Sequence, residues 1–322
     1  MRCVAAEEVD GCAKGLVGLV ESALTHQHAR TAELEAGKQG AVADGGHLSV
    51  RSGNTLSVGS LVLGADANLD AALGAPVVGT PALINVGGNL TLDGKLNVTD
   101  LGGFGAGVYR LIDYSGALTN NGLAIGSVPN GVIAGDLDVQ TAVNNQVNLV
   151  VGGSNNNVLF WDGSQTVGNG SVDGGAGVWS VGGTNWTDAN GALNQAWNGT
   201  FAVFQGTGGA VTVDGVQTVN GLQFLDNGYV LSGDALNLTN GAQGTGNVRI
   251  GNGVSATLNV DINGSGTLAK LEGGTLVLNG NNGYTGGTQL NGGTLIVGSN
   301  SALGTGALTA ANGTTLDANK VV

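Results

Sequence analysis

The sequence predicts an all-β fold of the solenoid class, in which short strands form coils and successive coils stack on one another. The segment GGTLVL at residues 273–278 returns 19 residues later as GGTLIV at residues 292–297, and a degraded copy, GTTL, follows at residues 313–316. Each copy is a turn followed by a strand in which apolar residues alternate with polar or small ones. Such a unit cannot bury its apolar edge alone, so it must stack on neighbours of the same kind.

Glycine accounts for 62 of the 322 residues and proline for only 3. Collagen requires glycine at every third position together with abundant proline, so this composition excludes it. A flexible, disordered chain is excluded as well, because short alternating runs of Val, Leu and Ile recur throughout the sequence and disordered chains lack that apolar content. We therefore interpret the glycines as turn residues that separate strands.

The chain is acidic, with 10 Lys and Arg residues against 23 Asp and Glu residues and a formal net charge of −13. Because nucleic acids and anionic lipids bind to clustered Lys and Arg, we expect neither as a partner. Charged residues make up 10% of the chain, whereas an ordinary soluble domain has about 25%. Surface polarity must therefore come from Asn, Thr, Ser and Gln, whose side chains form ladders on stacked β-coils.

Residues 1–40 form the first of three predicted segments and differ in composition from the rest of the chain. The spacing of an amphipathic helix is present at Leu16, Leu19, Val20, Ala23 and Leu24. Two interpretations remain open. The segment is a short helical cap over the first coil, or it is native to no fold and follows a misplaced start codon.

The first residues lack the pattern of a secretion signal, and the chain lacks the pattern of a membrane-spanning helix. Acidic residues, Glu7 and Glu8, stand where a signal peptide needs its apolar segment. A disulfide between Cys3 and Cys12 would close a short loop outside the repeats, so we favour free thiols. The chain has no run of 18 apolar residues, so we expect no membrane-spanning helix.

Residues 41–152 form the second predicted segment, the first part of the coils. Turn residues such as Asp93 and Gly94 separate its strands. Short strands are predicted at residues 47–50, 55–58, 61–63, 83–86, 90–92 and 96–98, and longer ones within 107–116 and 143–151. Periodicity alone leaves an antiparallel all-β fold as an alternative.

Residues 153–322 form the third predicted segment, and its first residues, GSNNN, have the composition of a boundary. The same segment contains all tryptophans of the chain, at Trp161, Trp179, Trp186 and Trp197. Exposed aromatic rings stack on sugars, whereas buried rings fill irregular parts of a core. Of these two interpretations we favour packing.

No residues in the sequence have the spacing of a metal or cofactor site. His26 and His28 lack a third ligand at a suitable spacing, and with His47 we interpret them as exposed histidines. Calcium-binding β-solenoids use a Gly-Gly-x-Gly-x-Asp repeat, and its nearest match, at residues 174–179, has Trp179 in place of the carboxylate. We therefore predict no metal and no cofactor.

The acidic residues of the third segment are scattered singly, mostly beside Gly or Asn, where aspartate is a turn residue. Seven of them are Asp162, Asp173, Asp188, Asp214, Asp226, Asp234 and Asp261. No serine lies in a Gly-x-Ser-x-Gly motif with a histidine nearby. We predict no catalytic residue. Because dispersed carboxylates can converge across coils, a secreted enzyme that acts on polysaccharides remains the alternative.

The repeat region resembles the passenger-associated repeat of bacterial autotransporters. The similarity lies in KLEGGTLVLNGNNGYTGGT at residues 270–288, GGTLIV at 292–297 and ALGTG at 302–306. Gly283 stands where the family usually has a threonine. The tryptophan-containing stretch also resembles the family, so the similarity is strong over residues 159–316 and loose in the first half of the chain.

The resemblance implies a right-handed parallel β-helix that is secreted by a Gram-negative bacterium and displayed on, or released from, its surface. It implies a non-catalytic passenger, a β-helical stalk or adhesin, whose repeats at 270–316 assist export and folding. The implied partners are the translocator β-barrel of the parent protein and a host or environmental glycan or protein. Because the sequence after the repeats lacks the amphipathic strands of a barrel, we expect a fragment, a truncated reading frame or a passenger separated from its translocator.

Overall fold

The computed structural model describes residues 38–74, 82–152 and 157–318. These residues form 32 β-strands and one short 3₁₀ turn, Ala134–Asp136, so the predicted all-β class is confirmed. Among the described residues, no helix is long and apolar enough to cross a membrane. The predicted N-terminal helix, both cysteines and the first two histidines lie outside the described residues.

The first part of the described chain forms three sheets, which we call the N-terminal stack. Sheet 1 contains β1 Gln39–Val42, β4 Ser60–Leu63, β7 Leu90–Leu92 and β10 Leu118–Asn120. Sheet 2 contains β2 His47–Arg51, β5 Asn68–Leu73, β8 Lys95–Asp100 and β11 Ala124–Ile125. Sheet 3 contains β3 Leu56–Val58, β6 Ile84–Val86, β9 Gly107–Tyr114, β12 Leu137–Gln140 and β13 Gln146–Val151. The chain visits the three sheets in turn, once per coil.

The second part forms three further sheets, which we call the C-terminal stack. Sheet 4 contains β14 Val158–Trp161, β16 Trp186–Thr187, β17 Asn194–Gln195, β18 Phe201–Phe204, β21 Gly221–Phe224, β24 Gly246–Ile250, β27 Leu268–Leu271, β29 Thr288–Leu290 and β31 Leu308–Ala310. Sheet 5 contains β15 Gly177–Ser180, β19 Ala210–Asp214, β22 Tyr229–Gly233, β25 Ser255–Leu258, β28 Thr275–Leu278, β30 Thr294–Val297 and β32 Thr315–Asp317. Sheet 6 contains β20 Gln217–Val219, β23 Leu236–Leu238 and β26 Ile262–Asn263.

The strands of successive coils pair in parallel in all six sheets, so the predicted parallel β-solenoid is confirmed and the antiparallel alternative is wrong. Antiparallel pairs stand where one stack ends and the next begins. Strand β13 pairs antiparallel with β9 and β12, and β16 pairs antiparallel with β14 and β17. Each sheet takes its strands from one stack. The division of the chain into three segments stays a prediction.

The sequence repeat corresponds to one coil. Thr275 of the first copy lies opposite Thr294 of the second, and Thr294 lies opposite Thr315 of the degraded third copy. The turn before each strand requires glycine, because Gly293 has a φ of 63° and a Cβ at this position would overlap the carbonyl oxygen of Gly274 in the preceding coil. The three copies predicted from the sequence are therefore three successive strands of sheet 5.

Columns of aliphatic side chains fill the interior of each stack. Leu276 lies between Ala256 of the preceding coil and Leu295 of the next, and all three are fully buried. Burial of one such leucine contributes about 1.5–3 kcal/mol before the loss of conformational entropy is counted. The apolar residues that alternate along each strand thus form the contact between coils.

The two stacks also pack against each other, face to face. Val108 of β9 and Val150 of β13 lie in one buried apolar cluster with Phe160, Phe201 and Val203 of sheet 4. At this contact, sheet 3 presents its outer face to the outer face of sheet 4. This places the loop after β8 beside the outer face of sheet 4.

We expect Leu276→Ala to lower the free energy of unfolding by about 2–5 kcal/mol, because it leaves a cavity between two coils that cannot close around it. Urea unfolding followed by tryptophan fluorescence measures the change. Val167→Ala is the matched control, since Val167 is 75% exposed and its truncation should change stability by no more than about 0.5 kcal/mol. Equal losses in the two variants would contradict the stacked core.

Candidate functional site

The repeat coils, residues 268–317, hold polar side chains inside the stack, and Asn282 connects three coils. Its side-chain oxygen accepts a hydrogen bond of 2.8 Å from the backbone N–H of Ile262 in the preceding coil. Its side-chain amide donates one of 2.6 Å to the carbonyl of Ala302 in the next coil. Asn282 is buried, so both backbone groups would lack water if the amide were removed.

Tyr284 and Thr288 form a second internal link in the same coil. The Tyr284 hydroxyl lies 2.6 Å from the Thr288 hydroxyl, which donates in turn to the carbonyl of Leu303 at 3.1 Å. Tyr284 therefore acts as the donor. Burial raises the pKa of Tyr284 to about 12, so the phenol keeps its proton at neutral pH. Asn282, Tyr284 and Thr288 all face the interior, whereas Thr285 is exposed.

Lys270 is fully buried although it is one of few cations in the chain. Its ammonium group donates hydrogen bonds to the carbonyls of Leu271, Glu272 and Gly292, at 2.9, 2.8 and 3.1 Å. These bonds hold a turn in which Glu272 has a φ of 64°. Burial lowers the pKa of Lys270 to about 8, and the nearby Glu272 carboxylate opposes that change. The role of Lys270 is structural.

Arg249 and Glu272, both in the C-terminal stack, form a largely buried ion pair where the two stacks meet. Nε of Arg249 lies 2.8 Å from Oε1 of Glu272. Its Nη1 donates to the carbonyl of Ala106 at 3.0 Å, and the guanidinium lies 4.6 Å from the ring centre of Tyr109. Burial is the largest single influence and lowers the pKa of Arg249, but the interactions with Glu272 and Tyr109 together outweigh it, so the pKa is raised. The pair thus joins β24 to the start of β9.

At the same contact, the amide of a glutamine side chain pairs with the backbone of β9 as a neighbouring strand would. The backbone N–H of Val108 donates to Oε1 of Gln223 at 2.7 Å, and Nε2 of Gln223 donates to the Val108 carbonyl at 2.9 Å. Both residues are buried. The roles of Gln223, Arg249 and Lys270 were not predicted from the sequence. The one signal available was a polar or charged residue within an otherwise apolar run, as in Leu268-Ala269-Lys270-Leu271.

The tryptophans form a packed cluster at the start of the C-terminal stack. Trp161, Trp179 and Trp186 are fully buried, and Trp197 is partly buried against them. Ring centres lie 4.5 to 5.2 Å apart for four of the pairs. The packing interpretation is therefore confirmed for the three buried rings, and sugar stacking on them is wrong. The rings belong to the apolar core of this stack, where Trp186 packs edge-on against Phe204.

The histidines and aspartates weighed for metal binding or catalysis do not converge in the part of the chain that the structure describes. There, no three His, Cys, Asp or Glu residues are placed to hold a metal ion. His47 is exposed, with Nδ1 2.8 Å from a carboxylate oxygen of Asp70. The carboxylates of Asp226, Asp234 and Asp261 each accept a backbone N–H from a neighbouring coil, 19 or 20 residues away.

Asp162 is the buried member of the scattered aspartates. One of its oxygens accepts the N–H of Asp173 at 2.8 Å, and the other accepts the side-chain amide of Asn194 at 2.9 Å. Burial raises its pKa, and these hydrogen bonds lower it in part. Asp162 therefore ties the loop after β14 to β17.

In the last described coil, β31 and β32 each pair with one described strand only. Leu308 of β31 and Leu316 of β32 are 39% and 40% exposed, whereas Leu290 and Leu295 of the preceding coil are fully buried. Leu316 lies opposite Leu295, and Leu308 lies opposite the buried Thr288. This edge of the repeat coils has the apolar surface and strand geometry on which one coil stacks on another.

Comparison with known proteins supports these observations. Residues 268–297 match the family model described as Passenger-associated-transport-repeat. Over 258 residues the chain is 46% identical to a curated protein named Adhesin BmaC autotransporter, from Brucella suis biovar 1 (strain 1330). The match covers 74% of this chain and 7% of the relative, so the chain spans a small part of that protein's length. No solved structure matches.

The fold is a parallel β-solenoid, and residues 268–297 contain the passenger-associated repeat. The resemblance to the passenger-associated repeat is confirmed by the family match, which begins at β27 and ends with β30. The similarity to the Brucella autotransporter covers 74% of the chain.

We expect Asn282→Ala to destabilise the chain by about 2–4 kcal/mol, because two buried backbone groups lose their partners. The matched control is Asn279→Ala in the same coil. Asn279 is exposed and its amide donates only to the side chain of Asn259, so the control should cost less than about 1 kcal/mol. Thermal and urea unfolding measure both. A control that loses as much as Asn282→Ala would show that Asn282 is not a special link.

Stability should rise with pH between about 8 and 10. Below the folded pKa of about 8, Lys270 is charged in both states. Above it, the unfolded chain keeps a proton, near the usual lysine pKa, that the folded chain has released, so each pH unit adds about 1.4 kcal/mol to the free energy of unfolding. Above pH 10 the raised pKa values of Tyr229 and Tyr284 act in the opposite direction.

The control for this pH dependence is Lys270→Met, which lacks the titrating group. Urea unfolding of both chains at pH 7.5, 8.5 and 9.5 should give a rising series for the native chain and a flat one for the variant. A flat series in the native chain would mean that Lys270 stays charged in the folded state across this range.

Proposed function

We propose that this chain is a surface-exposed, non-catalytic part of an autotransporter passenger in a Gram-negative bacterium, where it serves as a β-helical stalk or adhesin. The observation that carries the proposal is the set of repeat coils, each paired in register with its neighbours and linked through Asn282. The similarity to a protein named as an adhesin autotransporter supports it.

The repeats have a second proposed role, which is to assist export and folding. A coil that leaves the translocator β-barrel of the parent protein meets an edge like that of β31 and β32, with unpaired backbone groups and exposed Leu308 and Leu316. Pairing with that edge gives the new coil its hydrogen bonds and buries the apolar column. Folding coil by coil outside the cell would then favour outward movement of the chain.

The adhesive surface would take a host or environmental glycan or protein as its partner. Nucleic acid is an unsuitable partner, since the formal net charge is −13 and binding would require clustered cations. The aspartates that the structure describes in turns act as hydrogen-bond acceptors for the backbone, which supports a structural use of these acids. A non-catalytic role fits this use.

The test of export uses the full-length parent protein and removes one coil without breaking register. Deletion of residues 275–293 joins Gly274 to Thr294, which then takes the position of Thr275, its partner in the preceding coil. We expect surface display, measured with an antibody on intact cells, to fall several-fold, because the repeat coil that templates its successor is missing. Adherence of the same cells to a host cell layer should fall in parallel.

The matched control removes one coil of the N-terminal stack, residues 56–83, and joins Thr55 to Ile84 by the same rule. It shortens the solenoid without touching the repeats, so display should stay within about twofold of the native level. Equal display in the two deletions would count against a special role of the repeats in export. Normal display with lost adherence would instead assign the repeats to adhesion.

A further inference from the structure

A groove of about 520 Å³ lies between the two stacks. Its wall is the loop that follows β8, with Asp100 and Phe104. Its floor is the outer face of sheet 4, where Asn247, Ala269 and Gln289 occupy one register across β24, β27 and β29. The groove therefore exists only because the two stacks pack face to face.

A chain of hydrogen bonds fixes the polar groups on one side of the groove. The Thr245 hydroxyl donates to Oδ1 of Asn247 at 2.7 Å, and Nδ2 of Asn247 donates to Oε1 of Gln243 at 3.1 Å. Nε2 of Gln243 donates to the Phe104 carbonyl in the opposite stack at 2.7 Å. These amides are held in orientation before any ligand arrives, which lowers the entropic cost of binding.

Other lining groups are available for a ligand. Within the described residues, the side chains of Gln289 and Asn291 form no hydrogen bond, and both line the groove. Asp100 is held in place, because its Oδ1 accepts the N–H groups of Gly102 and Phe104 at 2.6 and 3.3 Å. Its second carboxylate oxygen can accept from a ligand. The floor between these groups is apolar, at Ala269 and Leu271.

We propose that this groove binds a short neutral glycan. A carboxamide carries a donor and an acceptor side by side, and each hydroxyl of a sugar both donates and accepts, so amides pair with neighbouring hydroxyls in either direction. The apolar floor suits the C–H face of a sugar ring, and the volume is in the range of small-ligand sites. The proposal rests on the proposed adhesive function, for which it names the ligand class.

The charge and strand pairing of the groove argue against other ligands. Asp100 is the one charged residue among the lining groups, and it is an acid, so a sulfated or sialylated glycan would be repelled. A peptide that binds as an added strand needs a free sheet edge. Strands β24, β27 and β29 have a partner on both sides, so their backbone groups are already paired.

The test measures binding of the purified chain to short oligosaccharides of glucose, galactose and N-acetylglucosamine, with a heparin oligosaccharide as the anionic comparison. Isothermal titration calorimetry should detect at least one neutral ligand and no heparin binding. Gln289→Ala combined with Asn291→Ala should weaken the neutral ligand about tenfold or more. Asn291→Arg, which fills the groove from an exposed position, should do the same.

The matched control is Asn312→Ala, an exposed turn asparagine in the last coil and outside the groove; it should keep the native affinity within about twofold. Unchanged affinity in both groove variants, or absence of neutral-glycan binding up to millimolar concentration, would overturn the proposal that the groove binds glycan.

Beads coated with each chain and applied to cultured host cells separate the two proposals. Adherence that the groove variants retain in full would overturn the groove as the adhesive site and leave the adhesin function standing. Oligosaccharide binding that requires the groove, in a chain whose beads do not adhere, would support the groove and count against the adhesin function.

Discussion

The register between successive coils is the constraint on which the other features of this molecule depend. A single coil cannot pair its own strand N–H and carbonyl groups, so each of β27 to β30 finds its partners in the coil before and the coil after. Thr275 and Thr294 are 19 residues apart and lie opposite each other. Extra residues in longer coils must therefore go into turns, as between β23 and β26, where Leu236 pairs with Ile262.

Two buried polar residues of the repeat, Asn282 and Tyr284, lie where this backbone pairing is interrupted. Sheet 6 ends at β26, and the repeat coils that follow have strands in sheets 4 and 5 only. Where a strand of sheet 6 would continue, Asn282 and Tyr284 supply hydrogen bonds from their side chains. At another turn, Lys270 donates hydrogen bonds to three carbonyls. A buried polar group without a partner is costly, so the identity of these side chains is restricted. This is a physical reason for a recognisable motif within a variable solenoid.

The local pattern of apolar residues was enough to predict the coils. The contacts between the two stacks could not be predicted, because they join residues far apart in the sequence. The alternation in GGTLVL and GGTLIV was enough to predict stacked strands, because each strand's environment is set by residues one coil away. The contact of Gln223 with Val108 spans 115 positions, and Arg249 reaches Ala106 across 143, distances at which no periodicity relates one residue to the other. The groove could not be predicted for the same reason, since its two sides come from different stacks. The tryptophans left two interpretations open, and burial decided between them.

Burial of the two cations of the C-terminal stack has a further consequence, for digestion by proteases. Trypsin-like enzymes cut after lysine or arginine, and between residues 157 and 318 the sequence contains only Arg249 and Lys270. Both are buried and hydrogen-bonded within paired strands. A protease of this class can cut only after a coil has opened and exposed one of these two residues. The stack would therefore persist in surroundings where trypsin-like enzymes are abundant, and its first cuts would report the opening of coils at β24 or β27.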